Sequence, residues 1–106
     1  DALQNGVYYL LEVKEVNHEF RLPHKNFATD KVSRMVRRQM AGAVCYVLVY
    51  HEPYGGVGRA WASALSWRLV PLEVFQKRDG GSWDLKSYPL TTLRMALNQM
   101  LSPNGA

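Results

Sequence analysis

A single cysteine stands in 106 residues. A lone thiol closes no intramolecular disulfide and builds no cysteine-based zinc site. Cys45 lies in the apolar run Ala43-Val44-Cys45-Tyr46-Val47-Leu48-Val49 and is expected to pack as a small buried hydrophobe, as in a reduced, cytoplasmic protein. No apolar stretch approaches the ~20 residues that a membrane span needs, and no charged-then-apolar leader opens the chain, so no membrane partner is expected. The three histidines, His18, His24 and His51, have neither zinc-ligand spacing nor an H-E-x-x-H pattern, and are expected in loops or on the surface. Gly55-Gly56-Val57-Gly58 before Arg59 lacks the spacing of a phosphate loop and reads as a mobile hairpin turn. Internal repeats and low-complexity tracts are missing too.

What remains is the composition of one folded domain. Hydrophobic residues make up 47% of the chain and charged residues 21%, which argues against disorder. The net charge of +4 suits a polyanionic partner. Residues 6–16 are rich in β-branched and aromatic side chains and read as a central strand covered on both faces. Residues 17–27 read as a loop. Thr29 or Asp30 is placed to cap a helix running to about Ala41, with Val32, Met35, Val36 and Met40 as its buried stripe and Gly42 as its stop. Two further strands are expected over 43–50 and 66–70. A helical turn is expected over 71–75 and a turn at Asp79-Gly80-Gly81. A last helix follows, capped by Thr91, with Leu93, Leu97, Met100 and Leu101 on one face. Residues 102–106 read as a frayed tail. The order of elements predicts a small α/β domain with a mixed sheet and flanking helices.

Chemistry concentrates in Glu12-Val13-Lys14. Residues two apart on a strand share a face, about 6–7 Å from each other. A carboxylate and an ammonium therefore project together from a strand otherwise built for burial, which is costly unless they are paired or bind an ion. Asn5-Gly6 is a favoured turn dipeptide, and a hairpin there brings Asp1 toward Glu12. Two carboxylates with the Val13 carbonyl make a hard-oxygen set suited to Mg²⁺ or Mn²⁺. Lys14 stands beside it, placed to offset negative charge developing on a phosphate. Lys31, Arg34 and Arg38 recur at helical spacing as a possible phosphate-tracking stripe, and Arg21, His24 and Lys25 lie nearer the proposed site. Trp61, Trp67 and Trp83 are expected to pack in a core or an interface.

The pattern Asp1-x10-Glu12-x-Lys14 on a hairpin resembles the motif of the PD-(D/E)xK nucleases. Arg21-Leu22-Pro23-His24-Lys25-Asn26-Phe27 is similar to the segment that leads into a helix in RecU-type resolvases, and Trp67-Arg68-Leu69-Val70-Pro71-Leu72-Glu73-Val74-Phe75 to the strand-then-proline segment of Hjc-type resolvases. The likeness spans residues 1–76. It implies a restriction-endonuclease-like core and a homodimer that binds four-way DNA junctions and cuts opposed strands by Mg²⁺- or Mn²⁺-dependent hydrolysis. Asp1, Glu12 and the Val13 carbonyl would be metal ligands and Lys14 the catalytic lysine. Arg21, His24, Lys25, Lys31, Arg34, Arg38 and Arg59 would contact DNA. The expected location is the cytoplasm, a host's if the protein is viral. The chain departs from that family in having Leu10 where RecU-type strands carry an acid, and Asp30-Lys31 where a glutamine is common. The family's acidic N-terminal helix has no counterpart here, and the nuclease domain over 1–106 is expected to lack it. Two alternatives remain: another PD-(D/E)xK DNA nuclease of repair or restriction type, and a catalytically inactive nucleic-acid-binding domain.

Overall fold

A computed structural model describes residues 2–4, 6–56 and 58–102, the side chains of 2–4 and of Arg59 excepted. Its centre is a four-stranded mixed sheet whose neighbouring strands are, in order, β1 (Ala2–Gln4), β2 (Val7–Val16), β4 (Val44–His51) and β5 (Trp67–Pro71). Strand β1 (Ala2–Gln4) runs antiparallel to β2 (Val7–Val16), with Gln4 opposite Val7 and Ala2 opposite Tyr9. The turn between them uses Gly6 at φ 78°, a value that suits glycine. Helix α1 (Thr29–Met40) then carries the chain back to β4 (Val44–His51), which is parallel to β2, as a crossover helix permits. Strand β5 (Trp67–Pro71) closes the sheet antiparallel to β4.

The main core lies on the α1 side. Val47, Val49 and Val70 from the sheet meet Val32 and Met35 of α1 there, together with Phe75 of the 3₁₀ segment Leu72–Gln76. Phe27, Leu22 and Leu85 are fully buried in the same cluster, each contributing roughly 1.5–3 kcal/mol through burial. Cys45 is buried among them as expected; its thiol points at the Met35 carbonyl at 3.6 Å, and burial pushes its pKa up. The second layer is helix α2 (Leu93–Leu101), which sets Ala96 against Leu48 and Trp67 on the other face. This helix packs on the sheet. Ala96 and Met100 are its buried residues, while Leu93, Leu97 and Leu101 are half-buried.

Several sequence expectations need correction. Residues 17–27 are not one loop: β3 (Arg21–Pro23) pairs antiparallel with β6 (Ser82–Asp84), and the 3₁₀ turn His24–Asn26 follows. Strand β2 is covered on both faces only in part, because β1 pairs with it no further than Tyr9 and α2 lies over β4 and β5. Val13 is 54% exposed as a result. The residue before α1 is Ala28, which offers no side-chain cap, and Thr29 and Asp30 are already helical. Met40 lies past the end of the core and is exposed. Thr92, not Thr91, caps α2 by accepting from the Met95 amide, because Thr91 is held to Trp67 as an isolated bridge. Residues 52–54 form a 3₁₀ turn within the segment read as a mobile turn, and a second runs from Gly58 to Ala62. Among the described residues no helix is long and apolar enough to cross a membrane.

Candidate functional site

Glu12 and Lys14 emerge from β2 on the α1 side, beside Val47 and Val49 of β4. The pleat places them on one face, and the structure brings them together: Lys14 Nζ lies 3.3 Å from Glu12 Oε2. The second carboxylate oxygen is held from α1, where Lys31 Nζ stands 3.1 Å from Glu12 Oε1. The side chains of Glu12 and Lys14 are about four-fifths buried, so the pair is screened less than a surface ion pair. Lys14 also lies 4.8 Å from the centroid of the Phe27 ring, which holds its stem against the core. One acid between two amines leaves a local excess of one positive charge on this face of β2. Val13 and Glu15 point to the opposite face.

Lys31 is thus not free along a phosphate-tracking stripe, as its helical spacing implied, but turned onto Glu12. Arg34 pairs with Asp30 at 3.7 Å, an exposed i,i+4 contact worth about 0.3–0.5 kcal/mol. Arg38 is exposed on the same helix. Arg21 and Lys25 line a cleft of about 430 Å³ at the end of β2, together with Val16, Asn17 and Asn26. His24 is turned inward: its ring packs 4.3 Å from Trp83, and its Nε2 is buried with no hydrogen-bond partner. Asp1 and Asn5 lie outside the described residues, as does the side chain of Arg59, so the expected meeting of Asp1 with Glu12 falls outside them too.

The described donors fit an oxygen-ligated divalent ion in kind but fall short in number. They are the Glu12 carboxylate and the Val13 carbonyl, and no group of three or more His, Cys, Asp or Glu side chains gathers among the described residues. The second carboxylate that the sequence analysis assigned to this set, Asp1, lies outside the described residues.

The opposite face is aromatic. Tyr50, Trp61 and Trp67 line a cavity of about 390 Å³ with Val13 and Glu15. A Cβ at Gly55 would fall 1.6 Å from the Tyr50 hydroxyl, so a side chain there would have to push the Tyr50 ring aside. Trp67 and Trp83 are buried and Trp61 is 43% exposed.

A second polar cluster was not expected from sequence. His51, read as a surface residue, is fully buried, because residues 17–20 and 85–91 fold over the end of the sheet. Its Nδ1–H donates to the His18 carbonyl at 2.8 Å, leaving Nε2 to accept from Arg68 Nε at 3.1 Å. Arg68, also buried, donates its remaining arms to the carbonyls of Tyr88 and Glu19. Burial and, to a smaller degree, the Arg68 charge push the pKa of His51 down, so the imidazole is held neutral. The signal available in the sequence was an arginine inside the apolar strand Trp67-Arg68-Leu69-Val70.

No family model matches this chain, and neither a curated protein nor a solved structure is found similar to it.

Proposed function

We propose that this domain is a metal-dependent endonuclease of the PD-(D/E)xK type acting on branched DNA, in the manner of a Holliday junction resolvase. The observation that carries the reading is the largely buried pair of Glu12 and Lys14, two residues apart on one face of β2, with Lys31 of α1 on the other carboxylate oxygen. Glu12, the Val13 carbonyl and Asp1 would hold Mg²⁺ or Mn²⁺. When bound, such an ion polarises the scissile phosphate and acidifies a water. Lys14 is fixed by Phe27 and by Glu12, so its ammonium is preorganised to offset charge developing on a phosphate oxygen. Lys31 neutralises the other carboxylate oxygen and adds a cation where a phosphate would approach. Arg21 and Lys25 would lead the strand past the end of β2. Junction preference would come from a homodimer presenting two such sites.

The test is cleavage of four-way, flap and duplex DNA in Mg²⁺ by the parent chain and by Glu12→Gln and Lys14→Ala. Each variant is expected to lose at least about 10²-fold in rate, as when one transition-state contact is removed, while junction binding persists. Full activity in either variant would remove these residues from the chemistry. Equal cutting of every substrate would leave a nuclease of repair or restriction type.

One observation favours a second reading, a metal-free nucleic-acid-binding domain. Both Glu12 oxygens are engaged by ammonium groups, which compete with a cation for the carboxylate. On that reading the chain binds DNA and neither Mn²⁺ nor Ca²⁺ changes the surroundings of Glu12.

A further inference from the structure

Thr29, Ser33 and Arg37 follow one another at intervals of four residues and form one stripe along α1. Successive helical residues turn by about 100°, so this stripe and Lys31 flank the buried Val32 and Met35 on opposite sides. Facing the stripe are the end of the segment Leu72–Gln76 and Arg78, and between them lies a cavity of about 330 Å³. Its floor is apolar, made by Val32, Val36 and Phe75, and its rim is polar. Among the described residues no carboxylate lines it.

The donors on that rim are of two sorts. The hydroxyls of Thr29 and Ser33 and the guanidinium of Arg37 make no hydrogen bond or ion pair with the described residues. Arg78, by contrast, is locked. One arm donates to the His24 carbonyl at 3.3 Å, another to the Phe27 carbonyl, and the guanidinium lies 5.0 Å from the Trp83 ring centroid. An arginine has about five N–H donors, so most of them remain for a ligand. Two guanidiniums, one held rigid, with two hydroxyls and no acid among the described lining residues form a set that an oxyanion completes.

The geometry points to a second phosphate subsite in this cavity, taking a backbone phosphodiester of the nucleic acid. Arg37 and Arg78 supply the charge, and Ser33 and Thr29 donate from the helix. Phe27 joins it to the first site: the ring that lies under Lys14 also packs 5.2 Å from Phe75 in the cavity floor. The subsite is therefore one aromatic contact away from Glu12 and Lys14, on the far flank of α1. It rests on the reading of the chain as a nucleic-acid-binding protein and is independent of cleavage at Glu12.

The test measures four-way-junction binding by fluorescence anisotropy over a series of salt concentrations. It compares the parent chain with Arg37→Ala/Ser33→Ala and with Ser33→Glu, both confirmed to melt at the parent's temperature. Losing one phosphate contact makes the slope of log K against log salt shallower by about one, and lowers affinity about eightfold near 0.1 M salt. Ser33→Glu, which sets a negative charge in the cavity, is expected to weaken binding at least as much. Parent-like affinity and slope in both variants would overturn the subsite. So would calorimetric binding of inorganic pyrophosphate that Arg37→Ala abolishes while junction binding is untouched, because the cavity would then serve a free anion. A parent chain that binds the junction but cuts nothing refutes the nuclease reading alone. A parent that binds no nucleic acid refutes the subsite as well.

Discussion

Two polar clusters sit on the same face of one sheet and are built on opposite principles. Arg68 and His51 are sealed: both are buried, and every contact runs to a backbone carbonyl or to each other. Glu12, Lys14 and Lys31 are half-open, and their contacts are ion pairs that an incoming ligand can exchange. The difference lies in what covers them. Residues 17–20 and 85–91 close over the β5 side, whereas β2 from Leu11 onward has a strand neighbour only in β4 among the described residues. A sealed cluster holds a fold together; an open one is available for chemistry.

The largest expected effect comes from breaking the sealed cluster. Arg68→Ala leaves two partly buried carbonyls and the buried His51 acceptor without donors and is expected to cost roughly 2–3 kcal/mol of stability, read from urea denaturation. Lys31→Ala removes one arm of the open cluster and is expected to stay within about 1 kcal/mol of the parent. Equal losses in the two variants would erase the distinction.

A smaller effect follows from pH. The pKa of His51 is lowered in the fold from its ordinary 6.5 by burial and by Arg68. A lowered pKa means that the unfolded chain binds the proton more readily. The stability that His51 contributes is thus present above pH 6.5 and is lost as pH falls from there through its folded value. The melting temperature is expected to fall on acidification in that range, with the ring keeping its Nδ1–H tautomer at neutral pH by NMR. A melting temperature flat across the range would show that the ring is not held neutral.

The parts legible in the sequence were those written in local periodicity. The alternation around Glu12 and Lys14 placed both on one face of β2, and the 3.6-residue spacing of Val32, Met35 and Val36 marked the inner side of α1. Strands β3 and β6 were not legible, because each is three residues long and their partners lie about sixty residues apart, as Leu22 and Trp83 show. His51 at a strand end looks like any exposed histidine until distant loops bury it. Lys31 was read as part of a cationic stripe because helical spacing says nothing of a carboxylate on a neighbouring strand. His24 was read as a phosphate contact from its place in the chain, whereas Trp83, from the far end of the sequence, draws it inward.

The central claim is that the open cluster can hold a divalent ion beside Lys14. It is tested most directly by titrating Mn²⁺ into the isotopically labelled chain and following paramagnetic broadening of backbone amide signals. Broadening centred on Glu12, Val13 and Lys14, reversed by excess Mg²⁺ and lost in Glu12→Gln, is the predicted result. Broadening that spares these residues, or that persists unchanged in Glu12→Gln, would contradict it.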